Sequence, residues 1–127
     1  AFRLAQALEK LEGVSVNYPL LESSPYHELA EKQLSGKGGA ILTIRAGSKE
    51  RAYKLINHLK YVKIATNIGD VRTLVIHPAS TIYIHSTPEA MEEAGVYDDT
   101  IRISVGIEDI KDLIQDFTEA VESLGEE

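Results

Sequence analysis

The sequence predicts an α+β domain, with about four strands in an antiparallel or mixed sheet and helices packed on one face. Three observations predict it. Short alternating segments are interleaved with stretches of helical period along the whole chain. The 127 residues match the size of one domain, and no linker, repeat or low-complexity run divides them, so residues 1–127 read as a single unit. Hydrophobic residues make up 43% and charged residues 26%, a balance that can build a core without staples.

Each element has a local reason. Phe2, Ala5, Leu8 and Leu11 recur at helical spacing, and Gly13 is placed to end that helix. Val14, Val16 and Tyr18 alternate with polar residues as a strand does, and Pro19 closes it. Ser24-Pro25 is a helix start, with serine as cap and proline in the first turn, and the helix is expected to run to about Leu34. After the Gly36 to Gly39 loop, Ala40 to Ala46 read as a strand. Ser48 caps a helix whose face is Ala52, Leu55, Ile56 and Leu59.

Val62 to Ala65 form a short extended piece before the polar loop Asn67-Ile68-Gly69-Asp70. Thr73 to Ile76 read as a strand stopped at His77-Pro78. Thr87-Pro88 opens a short helix that Gly95 ends, and Thr100 to Val105 form the last strand. Asp109 then opens a long helix with Ile110, Leu113, Ile114, Phe117, Val121 and Leu124 on one stripe. The same pattern suits a ferredoxin-like sandwich.

Composition narrows the chemistry. Cysteine is absent, which removes disulfides, thiolate metal sites and a cysteine nucleophile, and fits a reducing, cytoplasmic setting. The formal net charge of -7 argues against a nucleic-acid partner, which needs clustered lysine and arginine. No apolar run approaches the ~18 residues that span a bilayer, so no membrane partner is expected. His27, His58, His77 and His85 lack metal-ligand spacing, so no metal is assigned. Ala1 opens directly in a helical pattern with no initiator Met, which reads as a cut end.

A few residues stand out. In Ile101-Arg102-Ile103-Ser104-Val105 the period of two puts the apolar side chains on one face and Arg102 and Ser104 on the other. A guanidinium there can hold a carboxylate in a two-pronged pair, although a solvated strand arginine fits the spacing as well. The Asn67-Ile68-Gly69 loop can present amide donors to an anion, or be an ordinary turn. His77, with Ser80 and Thr81 in the loop after it, is either a pocket group or a strand-end histidine bonded to backbone.

Taken together, these segments resemble a known family. His77-Pro78-Ala79-Ser80-Thr81, then Ala94-Gly95-Val96, then Ile101-Arg102-Ile103-Ser104-Val105-Gly106-Ile107-Glu108 are similar to the Cys/Met-metabolism pyridoxal-phosphate enzymes. Val16-Asn17-Tyr18-Pro19, His27-Glu28-Leu29-Ala30 and Gly38-Gly39-Ala40 extend the likeness in the same order. The resemblance implies the small C-terminal domain of a fold-type I enzyme. It implies that Arg102 grips the α-carboxylate of an amino-acid substrate, and that Asn67, Ile68 and Gly69 close over it. Ser104, His77, Ser80 and Thr81 would line or support the pocket.

Most members of the family have Ser-Leu-Gly at this loop, whereas Asn67-Ile68-Gly69-Asp70, with Thr73-Leu74-Val75-Ile76-His77-Pro78 after it, is similar to the sulfhydrylase branch. That branch carries out a γ-replacement on O-acetylhomoserine with sulfide or a thiol. Ile82-Tyr83 stands where many relatives have Thr-His, which bears on substrate selectivity. In the family the Schiff-base lysine and the groups that hold pyridoxal phosphate precede this region. No catalytic or cofactor-binding residue is therefore assigned here, and Lys37, Lys54, Lys60, Lys63 and Lys111 lie outside the lysine motif. The expected partners are the chain's own large domain and, in the whole enzyme, further subunits of a homotetramer. A lyase sibling such as methionine γ-lyase or cystathionine lyase is the alternative within the family. Outside it stand a free amino-acid-binding regulatory domain and a plain interaction domain.

Overall fold

The computed structural model describes residues 1–125, and its architecture is a mixed five-stranded sheet with helices. The strands are β1 (Ser15–Asn17), β2 (Ile41–Arg45), β3 (Lys63–Ile64), β4 (Leu74–Ile76) and β5 (Thr100–Ser104), in the spatial order β1-β2-β5-β4-β3. All neighbours are antiparallel except β3 and β4, which run parallel. The strand added to the expected four is β3, the piece read from the sequence only as extended. Two residues are too few to carry a strand signature, and its pairing with β4 is what makes it one.

The helices are α1 (Phe2–Glu9), α2 (His27–Gln33), α3 (Lys49–His58), α4 (Pro88–Glu93) and α5 (Ile110–Glu122). Leu4 and Leu8 of α1, Ala52 and Leu55 of α3, and Leu113 and Phe117 of α5 share one core with Leu42, Ile44, Val75, Ile101 and Ile103 of the sheet. Each of the larger side chains contributes about 1.5–3 kcal/mol on burial. The α1 stripe is rotated from the expected one. Leu4 is fully buried, whereas Phe2 is 39% exposed and stacks on Tyr18.

The caps explain the helix bounds. Ser48 accepts from Arg51 N at 3.2 Å, Thr87 from Ala90 N at 3.1 Å and Asp109 from Lys111 N at 2.8 Å. Ser24 does not cap α2. Its hydroxyl takes Tyr26 N (3.1 Å) and its carbonyl takes His27 N (3.2 Å), making a separate turn, so the helix starts at His27 rather than at Pro25. Asp116 on α5 is buried, and its carboxylate accepts from Lys60 N (2.9 Å) and Tyr61 N (3.0 Å), which steers the chain leaving α3 toward β3. Among the described residues, no helix is long and apolar enough to cross a membrane.

Candidate functional site

The register assigns the two faces of the sheet. Arg102 lies opposite Thr43 on β2 and Ile76 on β4, and Ser104 lies opposite Ile41 and Leu74. These side chains share the face turned away from the main core. Ser104, Leu74 and Ile76 are nonetheless buried, while Arg102 is half-buried.

The parallel β3–β4 pair sets the neighbour of Arg102. Lys63 N donates to the Thr73 carbonyl (3.2 Å) and Ala65 N to the Val75 carbonyl (3.1 Å). The segment between them, 66–72, therefore leaves one edge of the sheet and returns to it. Arg102 Nη2 donates to the carbonyl of Thr66 at 2.8 Å. The structure thus brings Arg102 against the loop that holds Asn67, Ile68 and Gly69. Gly69 has φ +85° with open space where a Cβ would stand, and Ile68 is 61% exposed. Asp70 Oδ1 accepts from Arg72 N at 2.8 Å and turns the chain back toward β4.

One atom of this arrangement is unmatched. Arg102 Nε is buried and has no hydrogen-bond partner. A guanidinium carries five N–H donors, and Thr66 takes one of them. Leaving a buried charged donor unpaired costs more than an ordinary lost bond. A carboxylate is the acceptor whose charge and two-oxygen shape complement a guanidinium.

His77, Ser80 and Thr81 form a separate lock. His77 is buried at the end of β4, on the parity of Val75 rather than of Arg102. Its Nε2 donates to the Asp98 carbonyl (2.5 Å), so in the neutral ring Nδ1 accepts from Ser80 Oγ–H (2.7 Å). Thr81 Oγ1 donates back to the His77 carbonyl at 2.7 Å. The ring also meets Tyr53 edge-on, with centroids 4.9 Å apart. With both nitrogens engaged, His77 pins the turn after β4 and has no nitrogen free for proton transfer.

Two further features were not singled out in the sequence. Asp99, 6% exposed, accepts from Arg45 Nε and from Gly47 N, both at 2.9 Å, and Arg45 lies 4.0 Å over the Tyr97 ring. Beside them Ser15, Asn17, Thr43 and Thr100 help line a cavity of about 200 Å³. Thr73 and Glu108 are joined across the turn after β5, a contact 35 residues apart in sequence that no local pattern signals. No group of His, Asp or Glu able to hold a metal occurs among the described residues.

A family model described as Cys/Met metabolism PLP-dependent enzyme matches residues 1–122. Homocysteine synthase of Schizosaccharomyces pombe is 46% identical over 124 residues, covering 96% of this chain and 29% of that protein. O-acetyl-L-homoserine sulfhydrylase 1 of Thermus thermophilus is 43% identical over 115 residues, covering 90% of this chain and 27% of its own length. L-methionine gamma-lyase of Treponema denticola is 38% identical over 125 residues, covering 98% of this chain and 31% of its own. Among solved structures, a Campylobacter jejuni protein assigned as an O-acetylhomoserine (thiol)-lyase superposes with a TM-score of 0.88 at 35% identity, over 96% of this chain and 30% of that one. The chain spans less than a third of the length of each.

Proposed function

This chain belongs to the Cys/Met metabolism family of PLP-dependent enzymes, and we propose that it is the substrate-orienting C-terminal domain of an O-acetylhomoserine sulfhydrylase. The complete enzyme, in this reading, replaces the acetoxy group of O-acetylhomoserine by sulfide or a thiol and yields homocysteine or methionine. The observation that carries the reading is Arg102. Its buried Nε lacks an acceptor, and its Nη2 rests on the loop that runs into Asn67, Ile68 and Gly69.

The residues here fit an amino-acid carboxylate. Arg102 supplies charged N–H donors, and the Asn67 to Gly69 loop stands beside it to close over the bound group. Fixing the carboxylate orients the rest of the substrate, so that its reacting bonds meet groups outside this chain. Pyridoxal phosphate, when bound, supplies the electron sink for such chemistry, and the protein supplies orientation. The lysine and the phosphate-holding groups belong to a large domain preceding this one, so this chain alone is expected to turn nothing over. The whole enzyme is proposed to be a cytoplasmic homotetramer.

The test is homocysteine formation from O-acetylhomoserine and sulfide by the full-length protein loaded with pyridoxal phosphate. Turnover that vanishes when the large domain is removed supports the proposal. A methionine γ-lyase is the second reading, favoured by the relatives of that name at 38–39% identity. Release of a thiol from methionine, with no homocysteine made from O-acetylhomoserine, would replace the first reading by the second.

A further inference from the structure

Arg102 is only as well placed as the loop it touches, and that loop is held from behind. The Thr66 carbonyl that takes Arg102 Nη2 belongs to the segment 66–72, whose return into β4 passes through Thr73. Thr73 is fully buried. Its backbone N–H donates to Glu108 Oε2 (2.8 Å), and its hydroxyl donates to Glu108 Oε1 (2.9 Å). The same hydroxyl oxygen accepts from Gly106 N at 3.0 Å, and Ile107 N donates to the Val71 carbonyl at 2.9 Å. The turn that follows β5 is therefore bonded at four points to the end of the loop that precedes β4.

Both ends of this staple connect with Arg102. Gly106 and Glu108 lie just beyond the strand that carries it, and Thr73 lies just beyond the loop that contacts it. The fit is tight. A Cβ on Gly106 would stand 2.3 Å from the Val71 carbonyl oxygen and 2.5 Å from Arg72 C, so that position has room for glycine alone. Using both carboxylate oxygens on one residue fixes the orientation of Glu108 as well as its distance.

We propose that Glu108 is a positioning residue: by clamping Thr73 it sets the height of the Thr66 to Gly69 loop over β5 and thereby aims the Arg102 guanidinium at a substrate carboxylate. The inference rests on the carboxylate role assigned to Arg102 above. Glu108 touches neither substrate nor cofactor in this scheme and acts through the loop. Small displacements of a binding group carry large penalties, which is why a clamp behind the site matters.

The test is a double-mutant cycle in the full-length, cofactor-loaded protein. It is read by calorimetric binding of norleucine, an amino acid with no leaving group. Glu108→Ala is expected to weaken norleucine binding by about tenfold, and Glu108→Gln, which keeps one acceptor, by about threefold. In an Arg102→Ala background the same Glu108 change should weaken binding by less than about twofold, because the group it aims is already gone. An equal loss in both backgrounds overturns the proposal, since a merely structural role would act regardless of Arg102. So does unchanged affinity in folded Glu108→Ala. If Glu108→Ala does not accumulate as folded protein, Glu108→Gln carries the cycle with the same criteria. Unchanged affinity in Arg102→Ala alone would instead sink the carboxylate reading, and this inference with it.

Discussion

Arg51, Arg45 and Arg102 lie in or beside the sheet, and the structure treats the three differently. Arg51, in the first turn of α3, donates to the carbonyls of Ala46 (2.6 Å), Leu124 (3.4 Å) and Gly13 (3.4 Å), joining the end of β2, the turn after α5 and the α1–β1 turn. Arg45 is spent on the Asp99 carboxylate and the Tyr97 ring. Arg102 has one carbonyl and a buried Nε with nothing to meet it. The first two end in partners from their own chain, as structural arginines do. The third is held in place and left short of an acceptor. A guanidinium's function is therefore read less from its exposure than from which of its donors the fold leaves unmatched.

That comparison can be broken at each arginine. Arg102→Ala in the full-length enzyme should raise KM for the amino-acid substrate strongly, by about 2–4 kcal/mol of lost charged hydrogen bonding, with little change in melting temperature. Steady-state kinetics beside a thermal melt would read both, and an unchanged KM removes Arg102 from the site. Arg51→Ala should do the reverse. Losing its bonds to three carbonyls is expected to cost about 1–2 kcal/mol of stability in a denaturant titration while KM stays put. A KM change as large as that of Arg102→Ala would erase the distinction between the two.

Arg45→Ala should lie lower still. Its side chain is 49% exposed, so the ion pair and the ring contact together are expected to contribute about 0.5–1 kcal/mol. A loss of several kcal/mol would show Arg45 to be a core residue in effect.

The smallest expected effect belongs to Tyr18 on the helix side. Burial raises its hydroxyl pKa above the ordinary value of 10.0, and the hydroxyl donates to the Gly39 carbonyl at 2.7 Å. The neutral phenol is thus favoured in the folded state. Its stabilisation is complete below the unfolded-state pKa and is lost as pH rises through the folded one. Stability measured above pH 10 should fall less steeply in Tyr18→Phe than in the parent, and identical slopes would deny the linkage.

The same contrast explains what was legible in the sequence. The face of Arg102 follows from strand alternation, a local rule, and so do the caps at Ser48, Thr87 and Asp109. The loop beside Arg102 could be recognised as polar and turn-forming, yet its contact through Thr66 exists because β3 and β4 pair side by side, which is a long-range event. Ser24 shows the limit of a local rule. A serine before a proline satisfied the cap pattern, and its hydroxyl closed a turn instead. Thr73 and Glu108 were invisible as a pair for a similar reason. Neither belongs to a spaced motif with the other, and only the close approach at Gly106 brings the two segments together.

The parallel pairing of β3 with β4 has a consequence for chain length. Parallel neighbours need a connection that leaves the sheet and comes back, usually a dozen residues or more. Here only residues 65–73 do so, and both of their ends are tied into the ladder. Such a span has no slack to give away. Removal of a single codon would be taken out of the β3–β4 ladder or out of the Thr66 contact. An added residue at Gly69, which faces open space, could be absorbed as a wider arch. Genetic drift in this loop is thus expected to be lopsided, with insertions surviving where deletions do not.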